Sequence, residues 1–178
     1  KKADGIGQHA ICSLEALRNK ISYKDINFIS TNASDFKGVS GDIEALVKSG
    51  VSLEQSGFYS LGKVCFFTDL LWYYSYCSKI KNPKDNHIWI AYSVVEGSAV
   101  HPVWVERLNK YFDAVCVPDQ YLEDVYNSSG VKIPIFVLPL AFNLSRFVDR
   151  IPERHNKFVF GFSSDFCERK NHIGLLNA

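Results

Sequence analysis

Methionine is absent from the 178 residues. The chain therefore carries no initiator residue, and it is expected to be a piece of a longer protein. Long apolar runs are missing too. No window approaches the ~18 consecutive apolar residues that a membrane-spanning helix requires. Lys1-Lys2-Ala3-Asp4 has no apolar stretch behind its charges, so it does not read as a secretory signal. Neither sign of charge dominates. Twenty basic residues against 19 acidic ones leave a net charge of +1, which gives no electrostatic footprint for nucleic acid. There is no C-x-x-C pair and no cysteine–histidine cluster. The five cysteines, Cys12, Cys65, Cys77, Cys116 and Cys167, are scattered among apolar neighbours. They read as reduced, buried thiols of a cytoplasmic protein, with no metal site. No repeat of ~20–50 residues is visible.

What is present is a 47% hydrophobic composition with 14% aromatic residues, ordinary for a globular chain. At ~150 residues per domain, the length suits one domain plus a piece of another. Short apolar runs alternate with amphipathic stretches. Ile11, Leu14, Leu17 and Ile21 recur at helical spacing behind a glycine turn, and Ile26 to Ser30 reads as a strand. Asn32 to Gly62 is rich in Ser and Gly, with one helix expected around Asp42 to Lys48. Val64 to Thr68, His87 to Val95, Ala114 to Pro118, Ile133 to Leu140 and Phe158 to Ser163 read as further strands. Helices are expected at Leu70 to Tyr76, after His101-Pro102, from Asp119 through Tyr126, and from Arg169 onward. Lys79 to Asn86 is a polar loop and Arg150 to Asn156 a polar linker. This alternation predicts an α/β fold, a doubly wound, mostly parallel Rossmann-like sheet. In such sheets ligands gather at the carboxyl ends of the strands. Asp69, Glu96-Gly97 and the stretch from Ser163 to Asn171 all follow strands.

Three groups could carry chemistry. Gly5-Ile6-Gly7 before a helix allows backbone N–H groups to approach a phosphate or sugar, or serves a tight turn alone. Glu96, at a strand end, could bind sugar hydroxyls, orient an acceptor or act as a base; equally it could be a loop or capping residue. His101 fits either a cleft or the cap of its helix. Arg169 and Lys170 place two cations near a helix N-terminus, which the helix dipole disfavours. An anionic ligand such as a diphosphate would relieve that conflict, and so would ion pairs with Glu168 or Asp165.

Tyr92-Ser93-Val94-Val95-Glu96, Trp104-Val105, Leu108-Asn109 and Phe112 through Pro118 together resemble the central pattern of the retaining glycosyltransferases of family 4, which have the two-domain GT-B fold. Gly130-Val131, Ile133-Pro134-Ile135 and Val137-Leu138-Pro139-Leu140 are similar to the run that ends the first domain of that family. Phe158 to Asn171 with Leu175-Leu176-Asn177-Ala178 is similar to the first strand and helix of its second domain, and Glu168-Arg169-Lys170-Asn171 is the most specific motif. The resemblance implies an N-terminal acceptor-side domain over 1–150, a linker over 151–157, and the start of a donor-binding domain over 158–178. It implies transfer of a sugar from a nucleotide-sugar donor to a hydroxyl acceptor, a glycan or lipid-linked glycan, with no metal or other cofactor. Gly5, Gly7, Lys170 and Arg169 would hold the donor diphosphate. Glu96 would be the catalytic carboxylate, with Gly97, Asp69 and His101 lining the acceptor cleft. The basic loop Lys79 to Lys84 fits either peripheral contact of this cytoplasmic protein with the inner membrane face or a solvated surface. Asp4, Asp119 and Ser164 depart from the family pattern at a loop glycine, a serine and a phosphate-binding arginine. An epimerase or phosphorylase of the same fold, or a non-catalytic sugar- or nucleotide-binding module, are the alternatives.

Overall fold

The computed structural model describes residues 5–17, 20–22, 26, 29–30, 41–52, 64–68, 88–140, 157, 161, 164 and 168–177. The chain divides into two units, Lys1–Asn143 and Leu144–Ala178.

The first unit is α/β. Strands β3 (Val64–Phe67), β4 (Ile88–Tyr92), β5 (Ala114–Val117) and β6 (Ile135–Val137) form a four-stranded sheet in chain order, all pairs parallel. Helix α3 (Pro102–Tyr111) links β4 to β5, and α4 (Gln120–Ser128) links β5 to β6. Ahead of them lie α1 (Gly5–Leu17) and α2 (Gly41–Ser49), and a short parallel pair, β1 (Ile29–Ser30) with β2 (Val51–Ser52). An architecture of this kind is compatible with a Rossmann-like fold. Among the described residues no helix is long and apolar enough to cross a membrane.

Why these segments form these elements is readable from their chemistry. All four residues of β5 are buried, as a central parallel strand covered on both faces requires. Alternation along the strands puts Cys65, Phe67, Trp89, Ala91, Val115 and Val117 on one face. There they meet Leu108 and Phe112 from the α3 region and Leu122, Val125 and Tyr126 from α4. The rings of Phe67, Trp89 and Phe112 meet pairwise at centroid distances of 4.9, 5.5 and 5.8 Å. Such pairs add about 0.5–1.5 kcal/mol each beyond their area burial. The opposite face carries Val64, Phe66, Ile88 and Phe136, all exposed.

Helix ends are set by single residues. His101 caps α3, its Nδ1 accepting from Val103 N at 3.3 Å, and Pro102 follows at the first helical position. Asp119 caps α4, its Oδ1 accepting from Leu122 N at 2.8 Å. The turn after α4 passes through Gly130 at φ 92°, a conformation that only glycine adopts without strain. Asn109 then ties α3 to that turn, donating to the Gly130 carbonyl at 3.0 Å and accepting from Lys132 N at 2.7 Å.

Several boundaries move from expectation. The glycines do not form a loop ahead of α1: the helix begins at Gly5 itself. Strand β4 stops at Tyr92, so Ser93 to Val95 continue outside it. Strand β6 spans only Ile135–Val137, because Pro134 has no N–H for the ladder. Ile26 lies outside β1, and β2 has no counterpart in the sequence reading. Asp69, the expected helix at Leu70 to Tyr76, the loop at Lys79 to Asn86 and the linker at Arg150 to Asn156 lie outside the described residues, as do Cys77, Cys167 and most of the expected strand at Phe158 to Ser163.

Removal of the Leu108 side chain, fully buried at the centre of this core, is expected to cost about 2–5 kcal/mol as Leu108→Ala. Loss of the cap in Asp119→Ala should cost about 1 kcal/mol. Urea unfolding should show lower midpoints for both variants with an unchanged denaturant slope.

Candidate functional site

Because the four strands run parallel, their carboxyl ends share one edge of the sheet. That edge carries Thr68 after β3, Ser93 to Gly97 after β4, Pro118-Asp119 after β5 and Leu138 after β6. The Tyr92 hydroxyl donates to the Leu138 carbonyl at 3.2 Å, spanning β5 and joining two of these strand ends. Beside it, the Tyr126 hydroxyl donates to Ser93 Oγ at 2.6 Å in full burial. Ser129 Oγ accepts from Val100 N at 2.8 Å and anchors the far end of the β4–α3 connection.

Helix α1 also reaches this edge. The His9 imidazole, 4% exposed, lies on the Tyr92 ring with centroids 4.3 Å apart and planes inclined by 31°. His9 is two residues past Gly7, so the stack brings the first turn of α1, with Gly5 and Gly7, to the end of β4. Four residues beyond Tyr92 comes Glu96. Glu96 and Gly97 are exposed, and a Cβ placed on Gly97 would meet nothing within 4 Å. His101 is exposed and engaged as the α3 cap, the second of the two roles open to it. The connection from β4 to α3 thus offers an open, carboxylate-bearing surface held at both ends by hydrogen bonds.

Burial sets the proton chemistry of this edge and of the core behind it. It pushes the His9 imidazole below its ordinary value and the Cys65 and Cys116 thiols upward, so these groups are neutral near pH 7. Cys12, Cys65 and Cys116 are buried and not in disulfides. Burial, then Cys116 and the Asp119 carboxylate, pushes the Tyr92 phenol up to about 12. Tyr126 also rises to about 12 by burial, with the Ser93 hydrogen bond working against the rise. Among the described residues, no three His, Cys, Asp or Glu side chains gather to hold a metal ion.

Within Leu144–Ala178, Glu168–Lys170 form a single 3-10 turn, and α5 (His172–Leu176) follows. The expected helix from Arg169 therefore starts three residues later. Asn171 stands between the two at φ 51° and caps α5, its Oδ1 accepting from Gly174 N at 3.2 Å. A side chain at Gly174 would collide with the Asn171 amide. Lys170 is half-buried in the turn, and Ser164 Oγ lies 3.4 Å from His172 Nε2.

Comparison with protein-family models, curated proteins and solved structures finds no match. The chain's own geometry is what bears on its chemistry.

His9, Tyr126 and the contacts of Tyr92 did not figure among the sequence candidates. A partial signal for His9 exists: it lies about 60° around the helix from buried Cys12, whereas Ile11 and Leu14 fall on the other side and pack against α2. For Tyr126 the sign of the pH effect follows from its raised pKa. The native state holds the phenolic proton more tightly than the unfolded chain does, so the linked stability is intact below pH 10 and lost as pH rises through about 12. Tyr126→Phe is expected to cost about 0.5–1.5 kcal/mol at pH 7. It should also flatten the decline of unfolding free energy between pH 10 and 12, as read by denaturant titrations at stepped pH.

Proposed function

We propose that this chain is part of a retaining glycosyltransferase of the GT-B fold, family 4, moving a sugar from a nucleotide-sugar donor to a hydroxyl acceptor. The observation that carries the reading is an exposed Glu96, with open space at Gly97, just past the carboxyl end of β4 in an all-parallel sheet. The resemblance of Tyr92 to Pro118 and of Glu168-Arg169-Lys170-Asn171 to that family supports it. In this reading residues 1–150 supply the acceptor side, and residues 158–178 begin the donor side.

Each residue then has a defined task. Glu96 accepts a hydrogen bond from the acceptor hydroxyl and orients its oxygen. Gly97 leaves room for the sugar ring, and His101 fixes the start of α3 beneath it. Backbone N–H groups in the first turn of α1, at Gly5 and Gly7, face an anion without side-chain obstruction. Lys170, with Arg169 beside it, balances the charge that grows on the departing diphosphate. The bond from the anomeric carbon to the diphosphate oxygen breaks, and the acceptor oxygen bonds to the same face of that carbon. The acceptor proton leaves with a diphosphate oxygen. Placing fixed positive charge where negative charge develops is the main catalytic contribution.

Lys170→Ala, made in the full-length protein, is expected to lower kcat/KM for the accepted nucleotide sugar by about 10²–10³-fold. Glu96→Gln should lower turnover while leaving donor binding near wild type. Product analysis checks the class of reaction: sugar on an acceptor supports the reading, whereas an isomerised donor or a sugar phosphate replaces it with epimerase or phosphorylase chemistry. Binding without turnover, or a Lys170→Ala variant of unchanged activity, overturns it.

A further inference from the structure

Helix α1 meets the end of β4 through an unusual contact for a helix–sheet junction, a buried imidazole on a phenol ring. Elsewhere α1 buries Ile11 and Leu14 against Ile43, Leu46 and Val47 of α2, contacts that do not titrate. His9 is thus the titratable side chain at the point where α1 touches Tyr92. We propose that the His9–Tyr92 stack is a proton-operated latch, which seats the first turn of α1 on the carboxyl end of β4 while the imidazole is neutral and releases it on protonation.

The groups around the stack favour this behaviour. On β4 the Tyr92 phenol is neutral throughout the ordinary pH range, since its proton leaves only at about 12. Its hydroxyl is committed to the Leu138 carbonyl. On β5 the Cys116 thiol is held neutral by burial. Asp119, the charged group that acts on Tyr92, has its carboxylate engaged with Leu122 N at the start of α4. Within α1, Glu15 is nearly two turns from His9. The charged residues of α2 include Asp42, Glu44 and Lys48; Glu44 and Lys48 pair with each other. An imidazolium at His9 loses its water, whereas in a released α1 it regains it.

The sign follows from linkage. Burial lowers the His9 pKa in the seated state below the ordinary 6.5, so the released state binds the proton more readily. Seating is complete above 6.5 and weakens as pH falls below it. One proton is involved, so the seating equilibrium changes by at most about tenfold per pH unit. This latch stands independently of the transferase reading, because its readout is the seating of a helix.

Native-state hydrogen exchange on the full-length protein tests it, with protection factors corrected for the intrinsic pH dependence of exchange. Amides in Gly5–Leu17 should lose several-fold protection relative to those of Pro102–Tyr111 between pH 7.5 and 5.5. His9→Phe, which keeps a ring on Tyr92 but cannot titrate, should hold α1 protection constant over the same range, and His9→Gln should lower it at both pH values. Equal behaviour of α1 and α3 in the wild type overturns the latch, as does a His9→Phe variant that still loosens in acid. If His9→Phe does not fold, an NMR titration of the wild-type His9 ring decides. A value below 6.5 supports the latch, and a value at or above 6.5 means that attraction of the imidazolium to the ring face outweighs burial and overturns it.

Discussion

Parallel pairing is the constraint on which the rest of this structure depends. Antiparallel strands can turn back within two residues, but parallel strands need a crossover that returns the chain to its starting side. Among the described residues helices α3 and α4 are such crossovers, and their existence explains most of what else is seen. They must cover a sheet face, so Trp89, Val115 and Val117 find Leu108, Phe112 and Tyr126. Each begins out of non-helical chain, so His101 and Asp119 cap them. All strand ends then fall on one edge, where Tyr92, Ser93, Glu96 and Asp119 lie.

That edge combines two kinds of surroundings within a few residues. Tyr92, Ser93 and Tyr126 are buried and hydrogen-bonded, with phenolic protons held tightly. Glu96 and Gly97 are in solvent, at the open end of the same segment. A fixed, hydrogen-bonded interior next to an exposed carboxylate in the same segment suits binding of polar ligands, because the interior contributes position.

The sheet and the two crossovers among the described residues were legible in the sequence where local signals agreed. Ala114 to Val117 is an uninterrupted apolar run next to an Asp cap. His101-Pro102 marks a helix start, and Ser129-Gly130 marks a stop. Signals that depend on distant partners were not legible. Strand β2 is only two residues, Val51 and Ser52, and exists because β1 lies beside it. Strand β6 loses its first residues to Pro134, a local effect that the apolar run Ile133 to Leu140 masks. At the candidate site, the positions of Glu96 and Gly97 past a strand were foreseen, though Tyr92 rather than Val95 ends that strand. His9 was missed because its partner, Tyr92, lies far along the chain. Lys170 was foreseen at a helix start, whereas Asn171 at φ 51° separates its turn from the helix.

Strand order in the larger sheet equals chain order, and this has a consequence for how the molecule forms. Each new strand joins the edge left by the one before it, so β5 needs only β4 and β6 needs only β5. Paired residues such as Val64 and Ile88 or Val115 and Ile135 are close in the chain, so each closure costs less entropy than pairing of strands far apart in sequence would. As the chain leaves the ribosome, the sheet can grow by accretion from β3 toward β6. Each strand finds its place already built, without waiting for later residues.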